Sequence, residues 1–237
     1  MSVPETKQAP PLLLNFNAGY LDTAGFLALR GLFTAHVTGN FVTLGAALAL
    51  GTSGAIAKLL ALPVFCAVVI AIRLLDTLLS QQRRPVLETL LVVQVALLIV
   101  GAALAITLSP FHDIDGWRAV LTGMVLVSAM AIQNAFHRMH FGSAPPSTMM
   151  TGTTTQVMID LADRVYESRQ VDGRGGSRLV PMATAVLFFG AGCGAAALSY
   201  HVFGVGCFVI PPIVASLALI LWLGRRRRLA WQPRGPL

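Results

Sequence analysis

The residues best able to do chemistry in this chain lie where polarity is costly. Asp22 stands near the middle of an apolar run, residues 12–33, which also holds Asn15 and Asn17. An ionised carboxylate at mid-span costs at least about 2.5–3.5 kcal/mol by insertion scales. It is therefore expected either to be hydrogen-bonded as a structural group or to couple a proton or cation, and both roles stay open. Next comes Phe33–Gly51, FTAHVTGNFVTLGAALALG, whose polar head holds His36, Thr38, Gly39 and Asn40. A counterpart in the second half, Met149–Ala162, MMTGTTTQVMIDLA, opens on Thr151, Gly152 and Thr153. Threonine before glycine suits a helix start, the hydroxyl capping and the glycine allowing a sharp turn. A helix that starts inside a membrane has free N–H groups, and a bound anion is one partner for them. Short, polar-headed segments at corresponding places in two halves point to a solute site. The candidate substrate-binding residues are thus Asp22, His36, Thr38, Gly39, Asn40, Thr151, Gly152 and Thr153.

Other chemistry is weaker. Arg73 and Asp76 are three apart on one helix face, the spacing of a local ion pair with a snorkelling arginine. His36, His137 and His140 have no carboxylate or cysteine spaced to complete a metal set. Cys66, Cys193 and Cys207 all sit in apolar runs without a CxxC, as small buried residues do. There is no HExxH, nucleophile elbow or phosphate loop. Neither a metal, a cofactor nor an enzymatic activity is expected.

The elements that must position these residues are membrane helices. Of the 237 residues 55% are hydrophobic and only 11% charged, with a mean hydropathy of +0.73, against about 25% charged in soluble domains. Residues 1–11 read as a disordered tail. Spans are expected at 12–33, 57–79, 86–108, 117–136, 179–201 and 205–223. Pro63, Pro181 and Pro211–Pro212 are bend points, and Gly190, Gly192 and Gly194 favour close helix packing. Residues 170–177 read as an exposed linker and 224–237 as a basic tail. The net charge of +7 lies between apolar runs rather than among aromatics, so membrane flanks, not nucleic acid, explain it.

With six spans and a cytoplasmic N-terminus, Lys7, Arg83, Arg84, Arg138, the 164–178 stretch and Arg225–Arg234 fall inside. Lys58, Arg118 and the acidic 113–115 loop fall outside, a strong positive-inside bias. Each half, 12–108 and 117–223, would then hold three spans and one short broken or re-entrant helix. Two similar halves with an odd number of spans must be inverted repeats about an axis in the membrane plane. The expected fold is all-α and polytopic.

Gly19–Leu48, GYLDTAGFLALRGLFTAHVTGNFVTLGAAL, with its Gly-x-x-Asp start and His-Val-Thr-Gly-Asn run, resembles the signature of the YoaK-like family of bacterial inner-membrane proteins. Met149–Arg164, MMTGTTTQVMIDLADR, looks like the same family's second-half motif. The resemblance implies the inner membrane and supports the topology. It supplies no substrate and no functional residues, because the family's function is unknown. Two function classes follow from the residues. One is a secondary transporter or permease of a small anionic or zwitterionic solute, coupled through Asp22. The other is a non-transporting scaffold, sensor or assembly protein. The expected partners are membrane lipids and a small solute; the oligomeric state is left open.

Overall fold

The computed structural model describes residues 9–141, 150–167 and 176–230. Most of the described residues are helical, with no strand among them. In order they form α1 (Ala9–Ala28), α2 (Gly39–Leu50), α3 (Ala55–Gln81), α4 (Val86–Thr107), α5 (Trp117–His140), α6 (Met150–Glu167), α7 (Gly176–Phe203) and α8 (Ile210–Ala230). A short 3-10 turn, Gly204–Val209, joins the last two.

Four stretches are long and apolar enough to cross a membrane: Ala55–Gln81, Val86–Thr107, Trp117–His140 and Leu179–Arg227. The last spans 49 residues, roughly 73 Å if straight, more than twice a bilayer's hydrocarbon core. It is not straight. Gly204 takes φ +54°, a left-handed conformation that ends α7, and α1 packs against both α7 and α8. Pro63 and Pro181 lie inside α3 and α7.

Hydropathy passes over α1 because Asn15, Asn17 and Asp22 lie in it, yet it is among the most enclosed helices. Leu14, Ala18, Tyr20, Leu21 and Ala24 are wholly buried. Its neighbours are α7, α8, the 3-10 turn and α5. α5 is similarly enclosed, 67% of its apolar window being buried against 22% for α3. A helix walled off by others can carry polar side chains that a lipid-facing one cannot. Around this pair, α3 and α4 pack on α5, α4 packs on α8, α2 packs on α3, and α6 packs on α7.

The helix ends differ from the sequence expectations for local reasons. α1 starts at Ala9, with Pro10 and Pro11 in its first turn, where a missing N–H costs nothing. It stops at Ala28 rather than at 33, because Arg30 (φ 46°) and Gly31 (φ 90°) turn left-handed. α6 has 18 residues against 12 in α2, so the two short segments are not equal. Gly176 and Ser177, expected in a linker, belong to α7. The rest of that linker, with Pro145 and Pro146, lies outside the described residues.

Candidate functional site

Asp22, only 4% exposed, lies on α1 facing the chain that returns after Gly31. Three successive backbone N–H groups donate to its Oδ1: Thr34 at 2.9 Å, Ala35 at 2.6 Å and His36 at 3.2 Å. His36 N–H also reaches Oδ2 at 3.1 Å. Consecutive amides converging on one anion form a nest, which fixes a loop that regular structure leaves unpaired. Asn40 fastens the same loop from the other side. Its Nδ2 donates to the Phe33 carbonyl and its Oδ1 accepts from Phe33 N–H, both at 2.8 Å. Gly39 lies close under Phe33: a Cβ there would stand 3.0 Å from the ring, which would have to shift to admit it. Asp22 thus ties residues 34–36 to α1, while Asn40 ties Phe33 to the start of α2.

The start of α2 is occupied by its own chain. Gly39, Asn40 and Phe41 N–H donate to the carbonyls of His36, Val37 and Thr38 at 2.9, 3.1 and 3.2 Å. The Thr38 hydroxyl makes no capping bond, contrary to the expected cap, because Thr38 is already in helical backbone geometry. The side chains of His36 and Thr38 are exposed, His36 lying against the Phe33 ring. On α6, Thr151 and Gly152 are exposed and Thr153 is buried. Among the described residues α2 packs on α3 and α6 on α7, without contact between α2 and α6. The fold therefore gathers the candidates Asp22, His36, Gly39 and Asn40 and keeps Thr151–Thr153 elsewhere. An open groove on α6 is lined by Met158, Leu161, Ala162, Val165 and Tyr166, none of them a candidate.

Sequence reasoning noted three polar residues without placing them in a site. Gln94 Nε2 of α4 donates to Gln133 Oε1 of α5 at 2.7 Å, and Gln133 Nε2 donates to the Leu14 carbonyl of α1 at 2.9 Å. Asn17 of α1 is also fully buried. Their signal was a polar residue alone inside an apolar run, which on a single chain cannot say which others it meets. Among the described residues no group of three His, Cys, Asp or Glu side chains converges.

Ion pairs mark the ends of the bundle. Asp76 accepts from Arg73 at 2.8 Å, the expected local pair, and also lies 3.0 Å from His140 Nε2 across the α3–α5 contact. Glu88 pairs with Arg226. At the opposite end Asp115 accepts from Gly54 N–H at 2.8 Å and Ile56 N–H at 2.9 Å, capping α3. Lys58, expected as an outer flank, is buried there at 5% exposure. The Gly54 hydrogen bond, with that of Ile56 and the nearby Lys58 charge, holds the Asp115 carboxyl below its ordinary range. A depressed folded pKa contributes stability that is present above the unfolded value near 4 and is lost as pH falls through the folded value. In thermal melts of detergent-purified protein, Asp115→Asn should lower Tm at neutral pH and remove part of the fall in Tm below about pH 4. Equal acid sensitivity of variant and parent would refute this role.

A search of curated proteins and of solved structures finds no match to this chain. A family model described as a protein of unknown function, DUF1275, matches residues 11–221. That range takes in nearly all of α1, the Asp22 loop, both short helices, three of the apolar stretches and most of the fourth. The chain accordingly belongs to the DUF1275 family of proteins of unknown function.

Proposed function

We propose that this protein is a secondary transporter or permease for a small polar solute, built of two inverted halves. One observation carries the reading. If α1, α2, α3 and α4 are exchanged with α5, α6, α7 and α8, the main helix contacts map onto one another. α1–α7 becomes α5–α3, α4–α5 becomes α8–α1, α2–α3 becomes α6–α7, and α1–α5 and α4–α8 return to themselves. Two halves packed reciprocally are what rocking between two access states requires. In this reading α7 and α8 are separate crossings, α1 is a sixth, and α2 and α6 are the short helices.

The solute read from the sequence is anionic or zwitterionic, lying between the starts of α2 and α6, with Asp22 as coupling group. The geometry lends that version little support, since the α2 start is paired internally and Asp22 accepts from the loop. A non-transporting membrane scaffold is the second reading, favoured by the same Asp22 clamp. Stopped-flow osmotic swelling of proteoliposomes, challenged with glycerol, acetamide, glycine and acetate, separates the two. Faster swelling than protein-free vesicles for at least one solute is expected. No acceleration for any leaves the scaffold.

The positive-inside bias and the likeness to YoaK-like proteins support an inner-membrane protein with cytoplasmic termini. On a background lacking Cys66, Cys193 and Cys207, an impermeant maleimide applied to intact cells should label His112→Cys and not Ser80→Cys. The reverse pattern would invert the topology.

A further inference from the structure

Four helices close into a ring: α1 touches α5, α5 touches α4, α4 touches α8, and α8 touches α1. Exchange of the proposed halves maps this ring onto itself, so its centre is where their axis would pass. Its helices carry three buried amide side chains. Gln94 comes from α4 and Gln133 from α5, joined to each other and to the Leu14 carbonyl. Asn17 comes from α1. At 3.6 residues per turn Asn17 lies about 60° from Leu14 around α1, toward Tyr20. The Leu14 side chain lies in a buried cluster with Leu90 of α4 and Phe136 of α5, and Tyr20 donates to the Cys207 carbonyl in the turn leading to α8. Asn17 therefore lies on the face of α1 between these two contacts, the face turned toward the ring.

These amides are not satisfied by one another. Asn17 is 0% exposed, and neither its Oδ1 nor its Nδ2 has a hydrogen-bond partner among the described residues; the same holds for Gln94 Oε1. Native interiors pair such atoms with protein or with a bound molecule. Two acceptors and one donor stand unpaired, so an occupant must both donate and accept. The amides supply no countercharge, which argues against an ion.

We infer that the centre of the α1–α5–α4–α8 ring is a binding site for a small uncharged molecule bearing both donor and acceptor, either water or a hydroxyl- or amide-bearing solute, held by Asn17 and Gln94. As a solute site it rests on the transport reading. Its occupancy does not, so the test measures occupancy.

Radiolytic labelling of the full-length protein in detergent, in ¹⁸O-water, marks side chains next to bound water. Leu14, Leu21 and Met130, all essentially unexposed, should take up ¹⁸O. Asn17→Leu should remove most of that uptake and lower Tm by roughly 3–6 °C, having lost its bridged hydrogen bonds. Acetamide that protects wild-type Leu21 identifies a solute site, and uptake without such protection identifies a water site; both support the inference. No uptake in the wild type overturns it, whatever the variant does. So does a higher Tm for Asn17→Leu, which is what a dry, unpaired amide would give. Protection by acetate would overturn the neutral class.

Discussion

Gly192→Ala is expected to cost roughly 3 kcal/mol or more and to lower Tm by about 6–12 °C. A Cβ built on Gly192 would run into the Phe16 carbonyl oxygen of α1 and stand 2.9 Å from its carbon and from Tyr20 N. All are backbone atoms, so no rotamer change makes room; α1 and α7 would have to separate. The contact is reciprocal. A Cβ on Gly19 would run into the Phe189 carbonyl oxygen of α7, 2.9 Å from its carbon and 3.1 Å from Cys193 Sγ. Small residues that let backbones meet are how membrane helices gain packing without a hydrophobic drive. Gly190 and Gly194 flank the site on α7 with nothing within 4 Å of the position a Cβ would take. Alanine there should be neutral or gain about 1 kcal/mol from helix propensity. Thermal unfolding in one detergent compares the three alanine variants. Gly192→Ala as stable as Gly194→Ala would end the argument.

That glycine triplet shows how far one chain can be read. Composition and apolar runs showed the all-helical, membrane-like class and suggested a packing role for Gly190, Gly192 and Gly194. They could not say that only Gly192 meets a neighbour, because that depends on how α7 is rotated against α1. Asp22 was legible as costly, but its partners are main-chain N–H groups of residues 34–36, which carry no side-chain signature. Thr38, Gly39 and Asn40 were legible as a helix start. Their tasks were not, because Gly39 makes room for the Phe33 ring and Asn40 binds a peptide group behind it. Gln94 and Gln133 stood out singly, and only the α4–α5 packing makes them a pair. The break near Gly204 was legible as the gap between the 179–201 and 205–223 runs, but not its form, a φ of +54° that turns the chain into a 3-10 segment.

Asp22→Ala should be the other severe substitution, with a loss on the order of 3–5 kcal/mol and a Tm lower by about 10 °C. Alanine leaves Thr34, Ala35 and His36 N–H with no acceptor, at a site where Thr34 and Ala35 are buried. Removing one partner strands the others, and stranded buried donors cost their full desolvation. Asp22→Asn is a finer probe. Its oxygen can still accept from Thr34 and Ala35, but an NH2 now stands where Oδ2 met His36 N–H, donor against donor. A loss of about 1–2 kcal/mol is expected. His36→Ala removes only an exposed ring and keeps the N–H, so it should change little. Asn40→Ala should cost about 2 kcal/mol, since it strands both polar groups of Phe33. Because Asp22 and Asn40 hold one loop, Asp22→Asn and Asn40→Ala together should cost less than their sum. A coupling carboxylate behaves differently: Asp22→Asn would keep full thermal stability and lose solute-driven swelling or its pH dependence. That pattern would overturn the clamp and restore Asp22 as the group that moves a proton.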